Sequence, residues 1–284
     1  MIMKASLIPA LLTAILAGSI PALCLAEGVV LQWEKIYNGP GTGVDTPLRP
    51  VVDSAGNVII TGSSVGSSGN LDFYTAKYAA GDGTLLWERR YNGPGTLGDT
   101  PSALVVDSAG NVIVTGGSSG SSNRWLDFYT AKYAATNEAL LWEKRYNGTA
   151  DGTDSARAVA LDSAGNVIVT GTVSTGSNYY NTDCYTAKYA SEDGALLWEM
   201  RYKGTGNTYN LGRGVVVDEG DKVIVTGRTN YTSITTSDFY TAKYAPVDLD
   251  LDDDGLLDSW EITHFGNTAA HGALDDTDGD GAVE

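Results

Sequence analysis

Twelve residues near the C-terminus carry the most specific chemistry in the sequence. "DLDDDGLLDSWE" runs from Asp250 to Glu261 and fits D-x-D-x-D-G-x-x-D-x-x-E at every position. Asp250, Asp252, Asp254 and Asp258 stand at positions 1, 3, 5 and 9, the Leu256 carbonyl at 7 and Glu261 at 12. That is the oxygen set that wraps one calcium ion, with Gly255 allowing the sharp turn. Ca2+ is therefore the expected cofactor. "DTDGDG" (Asp276–Gly281) starts a second such loop, whose twelfth position would be 287, so the tail is expected to continue beyond Glu284.

Elsewhere the means for catalysis are sparse. The two histidines, His264 and His271, both lie in this tail. A Ser-His-Asp or metal-His site in the rest of the chain is excluded. Cys184 is the one cysteine after Cys24, so neither an internal disulfide nor a thiolate zinc cluster is expected. It stands where Phe73, Phe128 and Phe239 recur, and reads as a small buried hydrophobe. Asp45, Asp99 and Asp154, with Asn210 in the fourth place, recur at one position. They could ring a cation or act as acid and base. The reading preferred is that each accepts backbone N–H groups of its own turn, a task Asn performs equally well. Lys77, Lys132, Lys188 and Lys243 recur with Glu34, Glu88, Glu143 and Glu199, and are expected to pair across neighbouring strands as a structural device.

The elements that must position these residues come from a repeat. Trp33, Trp87, Trp142 and Trp198 are 54, 55 and 56 residues apart, and Asp53, Asp107, Asp162 and Asp218 repeat the same spacings. Each unit reads as four short strands rich in β-branched and aromatic residues. In the second copy these are "SALVVD", "NVIVTG", "DFYTAKY" and "LLWEKRY", separated by turn residues. Four antiparallel strands repeated radially form the blade of a β-propeller. The chain opens with a lone fourth strand around Trp33 and closes its repeats with strands one to three, ending at Ala245. The expected fold is all-β: a four-bladed β-propeller closed by an N-terminal outer strand, followed by a short acidic calcium-binding tail. The rival is an arc of a larger ring assembled with another chain.

All length variation falls in one segment, from the Gly of "VTG" to the next Asp, at 10, 11, 12 and 11 residues. In an antiparallel blade this loop and the fourth-to-first loop open on one face. The loops are Ser/Thr/Gly-rich with interspersed Arg124, Trp125, Tyr179, Tyr180, Arg228 and Tyr231, and Tyr209 lies in a fourth-to-first loop. These seven residues are the candidate ligand-binding set. A rigid scaffold with one face of divergent aromatic and polar loops presents a binding surface, suited to protein or polysaccharide. Loop drift without a ligand is the bland alternative.

"ARAVALDSAGNVIVTG" followed by "CYTAKYA" resembles the bacterial cell-surface β-propeller repeat family, often called SBBP repeats. The likeness runs from about Asp45 to Ala245, with "DEGDK" (Asp218–Lys222) departing from "DSAGN" in the fourth copy. It implies a secreted or surface-exposed scaffold and no particular activity. The tail loop resembles dockerin-type and thrombospondin type 3 calcium loops. "AAGDGTLLWE" (Ala79–Glu88) is similar to the blade signature of quinoprotein dehydrogenases, whose adjacent-cysteine pair is absent here.

Charge and the N-terminus complete the picture. The chain carries 18 Lys and Arg against 35 Asp and Glu, a net charge of −17. Twelve of those acids and no base lie from Pro246 onward. Such a surface repels nucleic acid and attracts cations. Lys4, the apolar run to Leu16 and "CLA" ending at Ala26 read as a secretory signal, with no membrane span left after cleavage. The domains expected are 1–26 as signal peptide, 27–245 as propeller and 246–284 as calcium tail. The function expected is a monomeric, secreted or cell-surface scaffold that binds protein or polysaccharide. The competing class is a channel-mouth enzyme, a quinoprotein-like dehydrogenase or a carboxylate-based hydrolase or lyase.

Overall fold

The computed structural model describes residues 29–121, 125–148, 150, 152–176, 181–204, 209–233 and 236–245, with no account of the side chains of 230–236. The chain divides into two compact units at Glu34/Lys35. In the first, the described residues 29–34 have no regular secondary structure. The second holds sixteen strands and, among the described residues, no helix.

The strands form three hydrogen-bonded sheets, of five, four and seven strands, that hold four antiparallel groups following the sequence repeat; the third and fourth groups share the seven-stranded sheet, and each group is called a sheet below. The first contains β1 (Thr46–Pro47), β2 (Val51–Val52), β3 (Val58–Val65), β4 (Leu71–Tyr78) and β5 (Leu85–Tyr91). The second is β6 (Thr100–Val106), β7 (Val112–Ser119), β8 (Leu126–Tyr133) and β9 (Leu140–Tyr146). The third is β10 (Ser155–Leu161), β11 (Val167–Ser174), β12 (Thr182–Tyr189) and β13 (Leu196–Tyr202). The last is β14 (Tyr209–Val217), β15 (Val223–Ser233) and β16 (Thr236–Tyr244), joined to the third by one parallel pair, Thr182 with Tyr209.

The turn between the first two full strands of each sheet shows how local sequence sets this geometry. Asp53 accepts from the N–H groups of Ala55 and Asn57, both at 2.9 Å, and Gly56 takes φ +80°. That conformation suits a residue without Cβ. In the fourth sheet Asp221 occupies the same place at φ +57°.

Consecutive sheets pack face to face, and three hydrophobic cores lie between them. One joins Ile59, Phe73 and Trp87 to Leu104, Val112 and Tyr129. The next joins Phe128 and Trp142 to Val159, Val167 and Tyr185, and the third joins Ile168 and Cys184 to Val215, Val223 and Val225. Middle strands are covered on both faces, which explains why β8 is buried at almost every residue rather than alternating. Each interface also carries a stacked tyrosine pair: Tyr91 on Tyr129 at 4.3 Å, Tyr146 on Tyr185 at 4.5 Å and Tyr202 on Tyr240 at 4.0 Å.

The expected closure by an N-terminal outer strand is not what the described residues display. β16 pairs with β15, and its other edge carries no strand among the described residues. Phe239 is 101% exposed, whereas Phe73 and Phe128 are 1% and Cys184 2%. Tyr37 instead stacks on Tyr74 of the first sheet at 3.8 Å, as each later tyrosine does on the sheet that follows it.

Candidate functional site

The site begins with the linker that joins each sheet to the next. Asp154 accepts from the N–H groups of Gly148 (2.5 Å) and Ser174 (2.6 Å), and its own N–H donates to the Leu126 carbonyl at 2.7 Å. Asp99 does the same with Gly93, Ser119 and the Leu71 carbonyl. Asp45 accepts from Gly39 and Val65. Asn210 donates from Nδ2 to the carbonyls of Thr182 (3.0 Å) and Lys203 (2.7 Å). These four side chains therefore clamp the loop between sheets; the three aspartates accept backbone N–H groups, as expected, whereas Asn210 differs by donating to backbone carbonyls.

The clamps differ in one partner. Ser118 Oγ donates to Asp99 at 2.7 Å, and Thr229 Oγ1 donates to Asn210 at 2.8 Å. Val173 stands at that position in the third sheet and has nothing to donate. The backbone N–H of Gly39 and the Ser64 hydroxyl hold Asp45 below the usual carboxylate range. Burial raises Asp99, and it pushes Asp154 up to about 6. The same valine affects the neighbouring arginine. Arg90 and Arg145 grip Ser64 and Ser118 through Nη2 and pair with Asp72 (2.9 Å) and Asp127 (3.0 Å). Like Arg90 and Arg145, which lie over Tyr74 and Tyr129, Arg201 lies over the Tyr146 and Tyr185 rings, but Asp183 Oδ2 is buried without a hydrogen-bond partner among the described residues.

The third clamp and its neighbours open a small, shallow cleft of about 50 Å³ on the variable-loop face. Trp125, Ser155, Arg157, Thr172 and Tyr209 line it. Trp125 immediately precedes β8, beside the carbonyl of Leu126 that anchors Asp154. Tyr209 begins β14, where Thr182 and Asn210 exchange hydrogen bonds of 2.8 and 3.1 Å. Arg157 sits in a register skip between Ala156 and Ala158, a bulge that turns an otherwise small-residue strand outward. The same skip occurs between Pro101 and Ala103 and between Gly212 and Gly214. Thr172 Oγ1 is buried at the cleft without a hydrogen-bond partner among the described residues. The cleft thus combines two aromatic rings, an exposed guanidinium and hydroxyl groups on strands held from both sides.

Two of the seven candidates, Trp125 and Tyr209, meet in this cleft. Arg228 does not: it lines a separate open cleft of about 530 Å³ with Arg213 and Phe239, on a side of the last sheet that no strand covers among the described residues. Tyr231 lies on β15 opposite Tyr209 in register, and its side chain is outside the described residues, as are Arg124, Tyr179 and Tyr180. Arg157 and Thr172 belong to the cleft and were not expected there. The signal for Arg157 was a lone charge inside "SARAVAL".

The proposed calcium ligands Asp250, Asp252, Asp254, Leu256, Asp258 and Glu261 lie outside the described residues. Among the described ones, no group of three or more His, Cys, Asp or Glu could hold a metal. Cys184 is buried, and burial pushes its thiol up to about 11. The expected Lys–Glu pairs are replaced by others. Lys77 pairs with Asp53 at 2.8 Å, Lys132 with Asp107 at 2.9 Å and Lys188 with Asp162 at 2.6 Å. Glu88, Glu143 and Glu199 accept from Tyr74, Tyr129 and Tyr185. Register is the reason. Lys77 faces Trp87 and Glu88 faces Ala76, so lysine and glutamate point to opposite sides of one sheet.

No family model matches the chain. No curated protein matches it either. Solved structures do resemble it. A Dos1 propeller is 9% identical with a TM-score of 0.42, over 66% of this chain and 43% of that one. An exo-β-1,3-galactanase from Clostridium thermocellum is 12% identical with a TM-score of 0.42, over 72% and 47%. A glucose dehydrogenase is 7% identical with a TM-score of 0.33, over 71% and 83%. This chain thus spans less than half the length of the first two. Likeness at these scores bears on neither activity nor ligand. Among the described residues no helix is long and apolar enough to cross a membrane.

Proposed function

We propose that this protein is a secreted or cell-surface propeller-type scaffold that binds a polysaccharide through the cleft between its second, third and fourth sheets. The single observation behind this is the cleft's composition: Trp125 and Tyr209 with Arg157 and the unpartnered Thr172 hydroxyl. Aromatic rings offer a flat apolar face to sugar C–H groups while their edges stay wet. Hydroxyls and a guanidinium answer the sugar's own polar groups, and the fork of Arg157 suits a carboxylate-bearing residue. A protein ligand would need a broad surface of roughly 800 Å² per partner, more than a cleft of this size presents by itself.

The rest of the reading follows the same line. The sequence up to Ala26 serves as an export signal, and the repeats retain their likeness to the cell-surface propeller family. The segment bearing Tyr37 supplies the fourth strand that the last sheet lacks. Asp250–Glu261 binds one calcium ion and stabilises the tail. The enzyme reading would need a pair of carboxylates with free oxygens. Burial raises Asp99, Asp154 and Asp183; both oxygens of Asp99 and Asp154 accept backbone N–H groups, which leaves Asp183, with one unpartnered oxygen among the described residues, as a single carboxylate rather than a pair.

Binding to immobilised neutral and uronate-bearing polysaccharides tests the proposal. Trp125→Ala is expected to weaken binding about tenfold or more, an aromatic contact being worth ~1.4 kcal/mol or more. Arg157→Ala should act selectively on uronate-bearing chains. Retention of a polysaccharide unaffected by either change would refute the cleft as the site.

A further inference from the structure

The two ends of the stack of sheets are complementary halves of one interface. At the leading end, Tyr37 stacks on Tyr74 at 3.8 Å and accepts from Arg90 Nη2 at 2.8 Å. Inside the stack, Tyr91 stacks on Tyr129 at 4.3 Å and accepts from Arg145 Nη2 at 2.7 Å. The linker agrees as well: Gly39 N–H donates to Asp45 as Gly93 N–H donates to Asp99. The segment from Tyr37 to Asp45 is therefore built as the end of a sheet that precedes the first one. Ile36, just before it, is 93% exposed, and Val44 within it is 75% exposed.

At the trailing end, among the described residues, the last sheet has three strands and lacks the fourth. Phe239 is 101% exposed where its counterparts are 1–2% exposed. The Lys243–Asp218 pair is 52% and 29% exposed, while Lys77–Asp53 is 6% and 5%. An open edge and an apolar face of this kind template pairing with another strand.

We propose that the segment bearing Tyr37 in one copy of the chain completes the last sheet of a second copy, so that the protein assembles head to tail. This rests on the reading that the segment supplies the missing fourth strand; what is added is that it acts between chains. The argument is the rigidity of the stack. Three filled cores set the turn from each sheet to the next, and at that turn Phe239 stays fully exposed. The Gly39–Asp45 linker ties Tyr37 to the first sheet, and among the described residues its segment makes no pairing with β16 of its own chain, so bringing the two together would require the cores between sheets to turn further. Packed interiors resist such deformation. A second copy meets the same edge with the interface already formed three times inside the chain. Ile36 stands where Arg90 and Arg145 stand, so the new sheet lacks their ion pair with Asp238 and relies on apolar contact. Heterologous contacts of this type close into rings or continue as filaments.

Cysteine cross-linking separates the possibilities. Inside the stack Phe73 faces Tyr91, Phe128 faces Tyr146 and Cys184 faces Tyr202. Tyr37 should then face Phe239, at the spacing a disulfide requires. A full chain carrying Tyr37→Cys alone, mixed with one carrying Phe239→Cys alone and oxidised, is expected to give a linked species of twice the chain mass. A Ser108→Cys partner should give none. Light scattering of the unaltered chain should also read two or more chain masses. If the double variant links only within one chain and the single variants do not link, the strand completes its own sheet and the second copy is refuted. If no format links, both the donated strand and the assembly are wrong. A concentration-independent single-chain mass would overturn the assembly whatever the variants do.

Discussion

Replacing Val173 with serine should lower the proton affinity of Asp154 and change how stability depends on pH. Asp154 is fully buried and titrates near 6, against 3.8 for an ordinary aspartate, because burial opposes its charge. The folded protein therefore binds this proton more tightly than the unfolded chain does. The resulting stabilisation is complete below pH 3.8 and is lost as pH rises through about 6. At ~1.4 kcal/mol for each tenfold difference in affinity, the loss amounts to about 3 kcal/mol. Val173→Ser places a hydroxyl where Ser118 serves Asp99. A hydrogen bond to a charged acceptor contributes roughly 1.5–3 kcal/mol, so about half or more of the loss should be recovered at pH 8. At pH 3.5 the same change should only cost, since a buried valine is replaced. Asp154→Asn, for which Asn210 is the natural precedent, should remove the Asp154 contribution to the pH dependence altogether. Urea unfolding of the three proteins between pH 3.5 and 8 gives the answer. Parallel stability curves for wild type and Asp154→Asn would refute the reasoning.

Lys132 and Asp107 form a buried pair, 5% and 7% exposed. Lys132→Met should destabilise by about 3–5 kcal/mol by stranding a buried carboxylate. Adding Asp107→Asn should recover much of it, because the turn keeps its acceptor while the charge is gone, and urea unfolding of both variants checks this. In the tail, calorimetric titration of the whole chain should find one calcium site at about 10⁻⁴ to 10⁻³ M, the range of extracellular modules. Glu261→Gln should weaken it roughly tenfold while leaving the melting of the sheets unchanged.

The sheets were legible because the repeat is written four times and each turn carries its own chemistry. "DSAGN" sets the hairpin through Asp and Gly, and the four-strand pattern follows. The clamp role of Asp45, Asp99 and Asp154 was legible for a related reason, since Asn at the fourth place argues against a task that needs a charge; that Asn210 clamps by donating to carbonyls was not legible. The lysine partners were misjudged because adjacency in sequence does not reveal which face a side chain takes. That depends on the register of β4 against β5. Arg157 escaped notice because its outward turn comes from a bulge, which a pattern of alternating residues does not announce. Closure was not legible either. A repeat count fixes how many sheets there are, while the turn between them depends on how Phe, Trp and Tyr side chains fill each core. Of the loop residues, Trp125 and Tyr209 converge because both flank the third clamp, whereas Arg228 lies beside an edge that no strand covers among the described residues.

The measurement nearest the central claim is hydrogen exchange of the intact chain with and without a polysaccharide that it retains. Binding in the cleft predicts slowed exchange at the starts of β8, β10 and β14, around Trp125, Arg157 and Tyr209, with the "DSAGN" turns at Asp53, Asp107 and Asp162 unchanged. Protection confined to those turns, or to the edge of β16, would contradict it.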